Sequence, residues 1–193
     1  NKLEHMRSAQ QLDPDCRLFH SDELWIRNGV RVNPMHKHRK YGGDIFHQCL
    51  PLCVISPSAA IIEKNLLLET GLFDEHLPAC EDYDLWLRIC HNHPVHYINT
   101  PLITKYGGHE DQLSRQYWGM DRFRILALHR LLQTTPLKPE YSVAARQMIL
   151  KKLHILLKGA RKHDNQEVID QFQPLQIHYT NTDHLPDREA TAC

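Results

Sequence analysis

Acidic side chains gather at the start of one predicted helix, and their types and spacing could support chemistry. The segment from Gly71 to Arg88 reads Gly-Leu-Phe-Asp-Glu-His-Leu-Pro-Ala-Cys-Glu-Asp-Tyr-Asp-Leu-Trp-Leu-Arg. Asp82 precedes Leu85 and Ile89 by helical spacings, so we expect it to share their inward face. A carboxylate on a buried face needs a partner or a chemical role, because burial disfavours its charge. The alternative is that these acids merely cap the helix, whose dipole favours carboxylates at its N-terminus.

Metal binding is a second chemistry that the residue types suggest. Cys49-x3-Cys53 stands in a chain with fifteen histidines, but no second ligand pair follows at the spacing of a zinc site. The alternative is that both are small apolar residues beside a strand, and we favour it. Without a CxxC pair or a visible signal peptide, we expect the six cysteines to be reduced and mostly buried, in a cytoplasmic protein.

Composition narrows the classes of partner. Hydrophobic residues make up 41% and charged residues 24% of the 193 residues, which is typical of a globular chain. Lys plus Arg (23) equals Asp plus Glu (23), which argues against nucleic acid as the main partner. No apolar run approaches the roughly 20 residues needed to cross a bilayer, so we expect no transmembrane segment.

The elements that must position these residues follow from hydrophobic periodicity and turn signals. The first part of the chain predicts helices over 2–12, 44–50, 64–69 and 81–91 and strands over 18–27, 54–62 and 95–100. Residues 29–43 are basic and glycine-containing, which indicates a mobile surface loop. Gly71 is expected to cap the helix before it in the left-handed conformation. Asp13-Pro14 is expected to end the first helix, and turns are expected at Asn28-Gly29 and at Tyr106-Gly107-Gly108.

Beyond Arg115 the pattern becomes helical throughout. Two amphipathic helices are separated by Thr134-Thr135-Pro136, and a third is predicted over 165–172. The tail from Pro174 is polar, and we expect it to be frayed. The pattern therefore predicts an α/β part over 1–113, a helical segment over 114–175 and a flexible tail over 176–193.

The acidic segment resembles a known family. Gly-Leu-Phe-Asp-Glu followed by Glu-Asp-Tyr-Asp-Leu-Trp-Leu-Arg is similar to the acceptor half of family 2 glycosyltransferases, which have the GT-A fold. Their usual spelling is Gly-Gly-Phe-Asp-Glu, so Leu72 is a mild departure. Ser58-Ala59-Ala60-Ile61-Ile62 resembles the family's preceding strand. The resemblance covers roughly 1–132 and implies the C-terminal part of a GT-A (Rossmann-like) domain followed by a helical tail.

The resemblance also implies roles for particular residues. Asp82 matches the general base, which takes the proton of an acceptor hydroxyl as that oxygen attacks the anomeric carbon. Glu81 and Asp84 match its neighbours and would orient the acceptor or the helix. Trp86 would pack in the core or stack on a sugar, and Arg88 would pair with a nearby acid.

A metal and the diphosphate of the donor are implied as well. Gly107-Gly108-His109 and the residues after it resemble the segment that closes over the diphosphate. His109 would contact the metal–diphosphate group, with Mn²⁺ or Mg²⁺ as the metal, or would be an ordinary solvated histidine. The basic loop from His36 to Lys40 would face phosphate or acceptor, or would be solvated.

The resemblance does not extend to the half of the family's fold that binds the donor. Family members bind the nucleotide with a preceding Rossmann-like half that ends in an Asp-x-Asp metal motif, and Asp13-Pro14-Asp15 is interpreted as a turn because it follows a helix. We therefore expect a truncated enzyme, inactive alone, whose strands 18–27 and 54–62 have unpaired edges that promote association.

The complete enzyme would transfer a sugar from a nucleotide-sugar donor to a hydroxyl acceptor, with inversion. The alternatives are a non-catalytic acceptor- or partner-binding module left by truncation and, last, a metal hydrolase, for which no His-Glu-x-x-His array is present.

Overall fold

A central strand with partners on both edges organises the first part of the chain. The computed structural model describes residues 1–33, 35, 38–107 and 117–182. The elements in chain order are α1 (Lys2–Leu12), β1 (Leu18–Arg27), β2 (Val30–Val32), α2 (Phe46–Cys49), β3 (Ala60–Ile62), α3 (Lys64–Thr70), α4 (Glu81–Cys90), β4 (His96–Gly107), α5 (Asp121–Thr134), α6 (Pro139–Lys162) and α7 (Gln166–Thr182). The prediction of a mixed α/β fold is confirmed.

The sheet is mixed, with β1 in its centre. β4 pairs with β1 in parallel from Phe19 to Arg27. Because β4 occupies one edge of β1, the antiparallel partners β2 and β3 share the other edge, at opposite ends of the strand. Strand 18–27 is therefore paired on both sides at its two ends, and association through unpaired strand edges stays a prediction. Such a mixed sheet with flanking helices is compatible with a Rossmann-like fold.

The β1–β2 connection is a two-residue hairpin turn. Asn28 and Gly29 have φ of 50° and 75°, the pair of positive angles that a type I′ turn requires. The predicted turn is confirmed, but the prediction of a loop from residue 29 onward missed β2. Three residues of exposed or half-exposed side chains give too short an alternation to be recognised as a strand.

The predicted strand over 54–62 is mostly wrong. Val54 and Ile55 are buried but lie outside any strand, a short 3-10 turn spans Pro57–Ala59, and only β3 pairs with β1. Proline cannot donate to a ladder. The carbonyls of Val54 and Ile55 accept hydrogen bonds from the side chains of Lys40 and Trp86 instead.

β4 is longer than the predicted 95–100 and continues through the expected turn at 106–107. Pro101 lies opposite Asp22, where the register of the pair shifts. A proline is tolerated at such an irregularity because no ladder bond is needed from it. The strand therefore carries Lys105 to the end of β1, beside Trp25 and Ile26.

Helix α1 packs on the sheet through a small apolar cluster. Met6 and Ala9 are buried with Phe19, and Ile61, Ile98 and Leu102 pack against them. The side chain of Asn1 caps α1 by accepting from the backbone N–H of Leu3.

Residues 121–193 form a second compact unit, and residues 1–120 form the first. Within the second unit, α6 contacts both α5 and α7. The two predicted amphipathic helices are confirmed. The third is longer than the predicted 165–172, because Phe172 and Tyr179 are buried on either side of Pro174 and anchor α7 past the proline. Within the described residues, no helix is both long and apolar enough to cross a membrane.

Candidate functional site

Helix α4 presents the acidic residues of the motif at its N-terminus. It begins at Glu81 after Cys80, which adopts φ of 65° and gives the helix no side-chain cap. Asp82 is half-buried, and its Oδ1 accepts the backbone N–H of Tyr83 at 2.7 Å. Its Oδ2 accepts the thiol of Cys53 at 3.2 Å. Both oxygens are therefore held in place, while part of the carboxylate stays open to a substrate.

Asp84 and Arg88 connect α4 to the turn that precedes it in the motif. Asp84 is 2% exposed and pairs with the guanidinium of Arg88 at 2.8 Å, which confirms the expected partner for Arg88. The same guanidinium donates to the carbonyls of Thr70 and Leu72, at the end of α3. Asp84 thus orients α4 against the Gly71 turn, and orientation of an acceptor by it stays a prediction.

The Gly71 turn ends α3 with a Schellman motif. Gly71 has φ of 92°, as predicted for a left-handed cap, and Leu72 follows with φ of 61°. The N–H of Leu72 donates to the Leu67 carbonyl and that of Gly71 to Leu68. The position where the family has its second glycine is therefore also left-handed here, at some conformational cost for leucine.

Trp86 lies in the core. It is 1% exposed, and its indole N–H donates to the carbonyl of Ile55 at 2.9 Å. Trp86 therefore packs in the core of this structure. It could affect an acceptor only by positioning the residues around it. Glu81 is half-exposed beside Asp82, so a contact with an acceptor stays a prediction for it.

The segment from Leu50 to Ser56 is tied to α4 and holds Cys53 beside Asp82. The hydroxyl of Tyr83 donates to the Leu50 carbonyl at 2.6 Å, and Trp86 holds Ile55 as described above. These two bonds lie on either side of Cys53, whose position relative to Asp82 is therefore set by the helix itself.

A cluster of charged side chains lies beside the same segment. The Lys40 ammonium donates to the Val54 carbonyl at 2.9 Å and lies 3.3 Å from Glu23 Oε1. Lys105 reaches the Ser56 hydroxyl at 3.1 Å and lies 3.7 Å from the same carboxylate. We call Glu23, Lys40, Ser56 and Lys105 the charge cluster.

The charge cluster places one carboxylate between two lysine side chains. Burial acts to raise the pKa of Glu23, but the Lys40 ammonium, a hydrogen bond from Ser56, the Lys105 ammonium and a hydrogen bond from Trp25 together hold this pKa below its ordinary value. Burial lowers the pKa of Lys40, against the opposing effect of Glu23. The Lys105 side chain is 43% exposed, so its charge is available at the surface.

A cavity of about 560 Å³ opens next to Lys40. Its lining includes Arg39, Asp22 and Tyr97, so both signs of charge meet there. Of the basic loop from His36 to Lys40, Lys40 is buried rather than solvated, whereas His36 and Lys37 lie outside the described residues.

The metal-binding prediction falls mostly outside the described residues. His109 is not among them. Within the described ranges, no group of three or more His, Cys, Asp or Glu side chains could hold a metal ion, and the cysteines there form no disulfide. A requirement for Mn²⁺ or Mg²⁺ therefore stays a prediction.

Three residues of the site and of the neighbouring charge cluster were not identified from the sequence. Cys53 was interpreted as a small apolar residue, and Lys40 as part of a loop that faces phosphate or acceptor or is solvated. Glu23 was not singled out within its predicted strand. The available signal was a carboxylate, Glu23, within a predicted strand, because a buried carboxylate requires a cationic or hydrogen-bonding partner.

One segment of this chain is similar to part of a known protein. No protein-family model matches the chain. Over 69 residues, the chain is 36% identical to a Rickettsia felis protein described as an uncharacterized glycosyltransferase. The match covers 35% of this chain and 11% of that protein. This similarity supports a glycosyltransferase-like relationship for part of the chain.

Proposed function

We propose that this chain is the acceptor-side part of an inverting glycosyltransferase of family 2, with the GT-A fold. The observation that supports the proposal is the position of Asp82, whose two oxygens are held by Tyr83 and Cys53 at the N-terminus of α4. The motif around it and the similarity to the Rickettsia felis protein agree with this interpretation.

In the proposed reaction Asp82 acts as general base. The acceptor hydroxyl gives its proton to the carboxylate as its oxygen bonds to the anomeric carbon. The bond from that carbon to the nucleotide diphosphate breaks, and its electron pair leaves with the diphosphate. A positioned base of this kind contributes about 10² to 10⁴ in rate.

The other residues of the motif support the base in this proposal. Glu81, half-exposed on the same turn, would orient the acceptor. Asp84 and Arg88 hold α4 against the Gly71 turn, and Trp86 fixes the segment that carries Cys53. No step runs through a metal, and a requirement for Mn²⁺ or Mg²⁺ stays a prediction that involves His109.

The test is sugar transfer by the longest natural protein that contains this chain, assayed with a panel of nucleotide-sugars. Asp82→Asn should reduce turnover by about two to four orders of magnitude and change donor affinity little. Asp15→Asn is the matched control, since Asp15 is an exposed carboxylate of the Asp-x-Asp turn, and it should retain wild-type turnover.

Two outcomes would count against the proposal. If the Asp82→Asn protein keeps more than about a tenth of wild-type turnover, Asp82 is not the base. If no nucleotide-sugar supports transfer while an acceptor still binds, the non-catalytic acceptor-binding module becomes the better interpretation.

A further inference from the structure

The thiol of Cys53 has two hydrogen-bond acceptors and one proton. Its Sγ lies 3.2 Å from Asp82 Oδ2 and 3.1 Å from the Ile55 carbonyl oxygen. A thiol can donate to one of them at a time, and its sulfur is also a weak acceptor. The half-buried side chain therefore has two hydrogen-bonded arrangements that differ only by rotation of the S–H bond.

These two arrangements match the two protonation states of the Asp82 carboxyl. When Asp82 is ionised, the S–H points at Oδ2. When Asp82 carries a proton on that oxygen, its O–H can donate to the sulfur while the S–H turns to the Ile55 carbonyl. Neither state leaves a buried polar hydrogen without an acceptor, which would cost about 1–3 kcal/mol.

The backbone around Cys53 is fixed firmly enough for this exchange. Bonds from Tyr83, Trp86 and Lys40 hold the carbonyls of Leu50, Ile55 and Val54, respectively. Because the chain is held on both sides of Cys53, rotation of the S–H bond is enough to exchange one acceptor for the other. Preorganisation of this kind keeps a reacting group in its productive geometry.

We propose that Cys53 is a positioning residue for Asp82, holding the carboxyl in one orientation before and after it accepts the acceptor proton. This inference rests on the proposed function. The thiol keeps its own proton throughout: the S–H bond does not break, and sulfur is neither oxidised nor alkylated. The acceptor proton resides on Asp82 until it is released to solvent.

The contact itself can be tested on the chain without any activity. Burial raises the pKa of the Cys53 thiol well above its ordinary value, and the neighbouring Asp82 charge raises it further. Asp82→Asn removes that charge, so a larger fraction of Cys53 is thiolate at pH 8. Alkylation of Cys53 by iodoacetamide, mapped by mass spectrometry, should become at least threefold faster.

Other cysteines in the same sample provide the controls. Cys16 is half-buried, and the carboxylate that acts on it is Asp13, so its rate should not change. An unchanged rate at Cys53 would overturn the contact. Equal acceleration at buried Cys90 would mean that Asp82 holds the fold rather than the thiol, which would also overturn the proposal.

Activity separates the positioning role from simple packing. In the longest natural protein that contains the chain, Cys53→Ala should lower kcat about tenfold with little change in KM for the donor. Cys53→Ser should recover at least half of wild-type kcat, because a hydroxyl can donate and accept as the thiol does. Cys53→Val, which fills the space without a polar hydrogen, should not recover it.

The outcomes distinguish this inference from the proposed function. If Asp82→Asn abolishes transfer but Cys53→Ala and Cys53→Val behave as wild type, Cys53 has no positioning role and the general base stands. If Asp82→Asn leaves transfer intact, the proposed function fails whatever the alkylation rates show, and the positioning proposal fails with it.

Discussion

His20 is a buried histidine in the central strand, fully enclosed, with one satisfied nitrogen. Its Nε2 lies 2.7 Å from the Tyr41 carbonyl and therefore carries the proton of the neutral ring. Its Nδ1 is buried without a hydrogen-bond partner. A second proton would have to reside on Nδ1, in a place with no acceptor. Burial accordingly lowers the pKa of His20 to about 4.

This histidine should make the first unit less stable in mild acid. Below the ordinary histidine pKa of about 6.5, His20 is protonated in the unfolded chain. In the folded chain it stays neutral down to about pH 4. The free energy of unfolding should therefore fall as the pH drops through this window, by up to about 3 kcal/mol from this residue. Urea unfolding followed by tryptophan fluorescence would measure this change in the free energy of unfolding, since all three tryptophans lie within 1–120.

His20→Gln isolates this contribution from that of the carboxylates. Glutamine can donate to the Tyr41 carbonyl but does not titrate. The stability advantage of the wild type over the variant should shrink as the pH falls from 7.5 to 4.5. His5→Gln, at an exposed position on α1, should show a difference that varies much less. A constant gap between wild type and His20→Gln would contradict the assignment.

The sequence predicted which residues share the acidic turn but not what they touch. Asp82 and its neighbours were identified by a motif within one helix, which local spacing reveals. Its contact with Cys53 and the Glu23–Lys40 pair join distant parts of the chain. Contacts between distant parts of the chain depend on how the elements pack, and local residue spacing does not reveal that packing.

At the scale of elements, hydrogen bonds from one side chain join helix α4 to the Gly71 turn. Arg88 of α4 holds Asp84 and the carbonyls of Thr70 and Leu72 at the end of α3. A planar guanidinium can make these contacts together, whereas an ammonium cannot match its fork geometry.

Arg88→Met should destabilise the first unit by about 2–4 kcal/mol. The buried Asp84 carboxylate would lose its guanidinium, and removal of one partner of a buried pair is costly. Arg88→Lys should fall between wild type and Arg88→Met. Urea midpoints followed by tryptophan fluorescence provide the measurement.

Arg7→Met is the matched control, since Arg7 is exposed on α1, and it should change stability by less than about 0.5 kcal/mol. Adding Asp84→Asn to Arg88→Met should cost much less than the sum of the single changes, because the two residues act on each other. Strict additivity would show that the pair does not hold the turn.

Element boundaries were predictable where they depend on local signals. The Asp13-Pro14 stop, the Asn28-Gly29 turn and the Gly71 cap act within a few residues. The length of β4 and the absence of a strand at Val54 depend on partners elsewhere, since a register shift admits Pro101 and the Lys40 side chain takes a backbone carbonyl. The continuation of α7 past Pro174 likewise depends on buried anchors.

At the scale of the whole molecule, the helical unit has an internal core and internal polar contacts. Asp121 of α5 bonds to Lys152 of α6 at 2.9 Å, and Tyr179 of α7 lies 2.7 Å from His129 of α5. Leu153 is fully buried in α6. Among the described residues of the unit, each of the three helices therefore has a polar contact with another.

Residues 121–193 produced alone should fold into a helical unit. We expect a circular dichroism spectrum dominated by helix and a cooperative thermal transition. Leu153→Ala should lower its stability by about 2–5 kcal/mol through loss of buried apolar contacts. Val143→Ala, at an exposed position of the same helix, is the control. A non-cooperative melt that neither change affects would contradict the expectation.

The parallel pairing of β1 with β4 sets the order in which the molecule can fold. Between these strands lie β2, α2, β3, α3 and α4, so closing the pair requires a long chain excursion whose entropy is lost before the contact is made. The helices after residue 121 contact sequence neighbours, and local contacts form faster. During refolding, amide protection should therefore develop in α6 well before it develops in β1, and the central sheet should be the rate-limiting structure.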